Sequence, residues 1–164
     1  MKIYAVIDTN VIVSALLSCH HDSATVKVLN YLYDRVIVPV YNNEIIEEYV
    51  AVLKRPKFNF SEETISAVID AIREGGIDSR RIGSNEQFPD PKDVVFYEVA
   101  LANEDSFLVT GNIKHFPKKP FVVTPAEMLQ IIQEMDSPKH GLLSEPSVRY
   151  SRNFPQKYFV VTPL

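Results

Sequence analysis

The chain has a single cysteine, no excess of basic charge, no long uninterrupted apolar run and no histidines at paired-ligand spacing, and each shortage removes a class of function. Cys19 alone forms neither an internal disulfide nor a cysteine-rich zinc site, which fits a reducing compartment and points to the cytoplasm. A formal charge of −4 and a pI near 5.6 exclude the uniformly basic surface of a protein that coats nucleic acid, while a basic strip beside an acidic pocket stays open. The apolar N-terminus is interrupted by Asp8, Asn10 and Ser14, so neither a signal-peptide core nor a membrane span is expected. His20, His21, His115 and His140 have no ligand spacing, which disfavours zinc.

What is present is enough for one core: 164 residues, of which 46% are hydrophobic. Residues 3–7 read as a buried strand that stops at Asp8-Thr9-Asn10 and leads into apolar residues at helical spacing. Ser23 caps an expected helix to about residue 34, and residues 36–40 form the next strand. Asn42 or Asn43 caps a helix through Leu53, and Ser61 opens another that ends at Gly75-Gly76. Asp90-Pro91 predicts a helix over 91–103, residues 107–109 and 121–123 read as strands, and Thr124 to Glu127 is a capping box for a last helix. Alternation of this kind predicts an α/β fold, a three-layer α/β/α sandwich on a mostly parallel sheet, spanning residues 1–136. Residues 137–164 form an irregular C-terminal tail. Within it, Phe154 to Pro163 repeats eight of the ten residues from Phe116 to Pro125, so the tail is expected to add a strand to a sheet edge.

Ligands of an open α/β sheet gather beyond the carboxyl ends of its strands. The first strand delivers Asp8, Thr9 and Asn10 there, and the strand ending at Val109 delivers Thr110 and Asn112. Glu48 and Asp93 are acids able to point to the same place, with Glu47 an alternative to Glu48 and with Asp90 and Glu98 as outer candidates. Each has a plainer reading: Asp8 as a helix cap, Glu48 on a solvated face, Asp93 beside a helix dipole, Asn112 in a turn. Together they are oxygen donors of the kind that suit Mg²⁺ or Mn²⁺.

The segments IDTNVIVSALL, IIEEYVAVLKRPKF, FPDPKDVVFYEVALANEDSFLVTGNIKHF and FVVTPAEML, in this order and spacing, resemble the PIN domains, and most closely the branch of toxin–antitoxin toxins related to VapC. The resemblance covers about residues 1–135. It implies a cytoplasmic endoribonuclease dependent on Mg²⁺ or Mn²⁺, often a homodimer, often silenced by a cognate antitoxin. The family's catalytic acids fall on Asp8, Glu48 and Asp93 as metal ligands, and its fourth acid falls on Asn112, whose amide supplies no negative charge. Thr9, Asn10 and Thr110 would orient the carboxylates and water. Lys54, Arg55, Lys57, Lys114, Lys118 and Lys119 would rim the pocket and bind RNA phosphates, with ordinary solvation as their plainer role. A phosphotransferase of the haloacid dehalogenase type needs an aspartate where Asn10 stands, and a response-regulator receiver needs an acidic pair near the first strand and a phosphorylated aspartate after a later one, whereas Tyr41-Asn42-Asn43 follow residues 36–40. The alternative from another class is a PIN-like module, catalytically weak or inactive, that binds RNA or an antitoxin without cutting.

Overall fold

The computed structural model describes residues 1–137 and the strand segments Val148–Tyr150 and Phe159–Val161. Strand β1 (Ile3–Ile7) is apolar enough to be covered on both faces, and it lies at the centre of a five-stranded parallel sheet. Helices α1 (Thr9–Leu17) and α2 (Ala24–Tyr33) lead to β2 (Ile37–Tyr41). Helices α3 (Asn43–Leu53) and α4 (Glu62–Gly75), separated by a 3₁₀ turn at Pro56–Phe58, lead to β3 (Ile77–Asp78). Helix α5 (Val94–Ala102) precedes β4 (Ser106–Val109), and β5 (Val122–Val123) precedes α6 (Pro125–Asp136).

The sheet order is β3-β2-β1-β4-β5, so the chain winds outward from β1 in one direction and then returns to fill the other side. That reversal puts the topological switch between β1 and β4, where side chains at the strand ends face an open crevice. Register fixes the crevice: Ile7 pairs with Val109, and the Asp8 amide donates to the Val109 carbonyl at 2.9 Å. Helix α5 packs on β1, β2 and β4, while α2 packs against α1, α6 and β2, completing the α/β/α layers. Ala5, Val6, Ile37, Ile45, Leu53, Val99, Leu108 and Met128 lie at the centre of the core.

Helix starts follow the side chains that can accept from the first free amides. Ser23, Asn42 and Ser61 each accept from the amide three residues on, and Thr124 with Glu127 forms a reciprocal capping box. Two elements differ from the sequence expectation. The helix expected over 91–103 begins as a 3₁₀ turn, Pro91–Asp93, with Asp90 accepting from the Lys92 amide, and becomes α-helical only at Val94. Strand β3 was not expected, because its two residues are exposed and carry no periodic signal. Its position depends on Gly76, where a Cβ would run into the carbonyl oxygens of Ile72 and Pro39.

Val148–Tyr150 (β6) and Phe159–Val161 (β7) pair antiparallel as a two-stranded sheet of their own. Most of the repeat at residues 154–163, on which the expected added strand rests, lies outside the described residues.

Candidate active site

Asp8 occupies the N-cap position of α1, yet its side chain makes no capping bond. The Oδ2 atom instead accepts from Thr110 Oγ1 at 2.8 Å and from Asn10 Nδ2 at 2.9 Å. The other end of the Asn10 amide accepts from the Gly111 amide at 2.9 Å, and a Cβ at Gly111 would stand only 3.1 Å from that Asn10 oxygen. Thr110 Oγ1 also accepts from the Asn112 amide at 3.0 Å. The turns after β1 and β4 are therefore joined through Asp8, and glycine at 111 lets them approach. Behind them, the buried Tyr49 hydroxyl of α3 donates to the Ile7 carbonyl and fixes the strand end.

Asp8 is 5% exposed, and burial pushes its carboxyl from 3.8 up to about 6. The hydrogen bonds from Thr110 and Asn10 oppose that rise, while the charge of Asp93 adds to it. Asp93, at the junction of the 3₁₀ turn and α5, also makes no capping bond. Its carboxyl is raised by burial first and then by the charges of Asp90 and Glu48, with His115 acting the other way. Glu48 is half-buried on α3, with its charge acting on Asp93, whereas Glu47 is exposed. The Tyr49 phenol is raised by burial and by its acidic neighbour Asp8.

Two side-chain oxygens in this region, Thr9 Oγ1 and Asp93 Oδ2, are buried without a hydrogen bond. Asp93 Oδ2 stands 3.3 Å from His115 Nδ1, close enough for an ion pair but not aligned as a hydrogen bond. Buried oxygens without partners are few in native proteins, and a bound ion or water commonly explains them. Mutually repelling carboxylates, oxygen donors and a buried Thr9 hydroxyl without a partner fit a hard divalent cation. Among the described residues, no three His, Cys, Asp or Glu side chains are already gathered closely enough to hold one.

A family model for the PIN domain matches residues 4–114, well over half of the chain. The chain belongs to the PIN domain family. PIN domains are generally nucleases that depend on a divalent metal. The matched span runs from β1 through the turn carrying Asn112, and so contains Asp8, Glu48 and Asp93. No curated protein and no solved structure matches the chain. No helix among the described residues is long and apolar enough to cross a membrane.

In this PIN domain the cations anticipated from sequence are dispersed. Arg55 lines a cleft of about 580 Å³ together with Thr9 and Asn10, and Lys57 Nζ lies 5.0 Å from the Phe58 ring centroid. Lys54 is exposed at the C-cap of α3, Lys114 is exposed in the 3₁₀ turn Ile113–His115, and Lys118 is exposed beyond it. Lys119 pairs with Glu86 at 3.2 Å and lines a separate depression with Tyr97 and Phe121. Asn112 is exposed on the turn after β4.

Sequence reasoning missed two features of the site. His115, set aside for lack of a partner histidine, stands beside Asp93. Arg81 bridges α3 and α5, binding Glu44 at 2.6 Å and Glu98 at 2.9 Å, so both glutamates have structural work outside the acidic cluster. Glu44 lies one turn before Glu48 on α3, and Glu98 lies on the helix that starts after Asp93, so the bridge spaces the two acid-bearing helices. The Glu98 side chain is 9% exposed and would be left with an unpaired charge if Arg81 were removed. Arg81→Ala is expected to lower stability by about 2 kcal/mol, less than for a fully buried pair because Arg81 is partly solvated. Urea unfolding measures this; an unchanged midpoint would show that the bridge is ornamental.

Proposed function

We propose that this PIN domain is an endoribonuclease that hydrolyses RNA phosphodiester bonds with Mg²⁺ or Mn²⁺ held by Asp8, Glu48 and Asp93. The observation that carries the reading is Asp8 itself. Its carboxylate is buried, kept from its capping role and fixed by Thr110 and Asn10 next to a second acid that repels it. Such an arrangement is unfavourable for folding and favours a cation. When bound, the metal would lower the pKa of a water and offset charge building on the phosphate.

The chain's own residues set the stage. Thr110 and Asn10 hold the Asp8 carboxylate in one orientation, Thr9 offers a hydroxyl without a partner, and His115 steadies Asp93. Asn112 contributes an amide able to orient water but no negative charge, which supports one tightly held metal rather than two. Arg55 is the cation best placed to meet RNA beside the acidic turn, with Lys54, Lys57, Lys114 and Lys118 reinforcing the field. The likeness to VapC-related toxins supports a toxin role in the cytoplasm, restrained by a cognate antitoxin and exercised as a homodimer.

Cleavage of a panel of single-stranded and structured RNAs tests the ligand set. Glu48→Gln is expected to reduce the rate by about 10², whereas Glu47→Gln stays near wild type. Equal losses in the two would remove Glu48 from the site. On the toxin reading, induced expression arrests growth for wild type and not for Glu48→Gln.

A further inference from the structure

We propose that the groove between α1 and α3 is a nucleobase subsite, seating the base next to the phosphate that meets the acidic turn; this rests on the ribonuclease reading. Asn10, Val13, Ser14, Leu17 and Ser18 recur at the spacing of one helical face and form one wall. Val52 follows Glu48 by four residues on α3, and Arg55 lies just past the helix end, so the opposite wall starts on the face of α3 that carries the acid. Phe58 closes the far end, giving a cleft of about 580 Å³.

The two ends differ in chemistry. At the acidic end Thr9 lines the cleft beside the Asn10 that holds Asp8. At the far end Phe58 stacks on Phe60 with ring centroids 5.6 Å apart and planes 18° from parallel. Asn59, in the left-handed region at φ 53°, turns the chain between the two rings. Between the ends, Leu17 is 53% exposed, an apolar surface beside the hydroxyls of Ser14 and Ser18. Among the described residues, Arg55 is the only charged side chain lining the cleft, and Lys57 stands over Phe58. An apolar and aromatic wall, neighbouring hydroxyls and cations without an acid are complementary to a base flanked by phosphates. The face of α1 from Asn10 to Ser18 runs about 12 Å, so a base seated midway along it would lie within about one extended nucleotide of the acidic turn.

Two-dimensional amide NMR on the full chain in EDTA, titrated with adenosine and uridine 5′-monophosphates, tests the subsite without any need for turnover. Shifts are expected at Asn10, Ser14, Leu17 and Phe58. Phe58→Leu, which keeps apolar bulk, should weaken binding about tenfold, and Phe58→Tyr should stay within about twofold of wild type. Shifts confined to other regions, no shifts, or equal binding by Phe58→Leu would overturn the subsite. The RNA panel separates the two claims. Wild-type cleavage with an unchanged fragment pattern and affinity in Phe58→Leu removes the subsite and leaves the nuclease. Nucleotide binding in the groove with no cleavage of any RNA removes the nuclease and leaves the subsite.

Discussion

Asp8→Asn is expected to yield a metal-free protein more stable than wild type at about pH 7.5 and at least about 10² less active on RNA. The stability gain follows from the direction of the Asp8 shift. Its carboxyl titrates at about 6 in the fold against an ordinary 3.8, so ionised Asp8 opposes folding by about 3 kcal/mol at neutral pH. An asparagine oxygen can still accept from Thr110 and Asn10, while its amide needs partners that a carboxylate does not. A net gain of about 2 kcal/mol, or about 4–8 °C in Tm, is the expected balance. Because the folded pKa is the higher one, the fold binds more protons between these values, and wild-type stability falls as pH rises from about 4 to about 6. The advantage of the variant should therefore be full above about pH 6 and nearly gone at about pH 4. Thermal unfolding at both ends of that window measures it. A variant less stable than wild type at neutral pH would mean that the hydrogen bonds to Asp8 outweigh its burial, leaving an ordinary structural aspartate.

Mg²⁺ or Mn²⁺ should produce the second large effect, raising the melting temperature of wild type at about pH 7.5 by roughly 5–10 °C when present at about a hundred times its dissociation constant. The cation offsets the repulsion between Asp8 and Asp93 that the folded chain otherwise bears. Protons compete for the same carboxylates, so the apparent affinity should fall as pH drops below about 6, by up to tenfold per unit for one displaced proton. Asp93, raised in the same direction, steepens that loss. Asp8→Asn should abolish most of the metal-induced shift. A shift that is equal at about pH 5 and pH 7.5, or retained in Asp8→Asn, would place the cation elsewhere.

The parts of this fold legible in the sequence are those governed by neighbours. Ser23, Asn42, Ser61 and Thr124 cap their helices because the amides they satisfy lie three residues away. Strands such as β1 and β2 are rich in apolar residues, and their alternation with helices implied a parallel sheet with Asp8 and Thr110 at the carboxyl ends of strands. Their hydrogen bond spans 102 positions and needed the strand order before it could be drawn. Arg81 was invisible for the same reason, since its partners lie 37 and 17 positions away and a charged residue in a polar connection has no periodic signature. Histidine spacing could not reveal His115, whose partner is a carboxylate on another element. The short β3 carried no apolar pattern to read, and the 3₁₀ start of the segment before α5 reflects an Asp90 cap that serves a tight turn rather than a full helical one.

Asp8, Glu48 and Asp93 together form the central claim, and the most direct test is cleavage of a 5′-labelled RNA panel by wild type, Asp8→Asn and Asp93→Asn, each with Mg²⁺, with Mn²⁺ and with EDTA. Fragments formed by wild type only in the presence of a divalent ion, and lost in both variants, are the expected result. Cleavage that persists in EDTA or in both variants would contradict the account, and the absence of cleavage by wild type with either metal would make the chain a binding module on a nuclease fold.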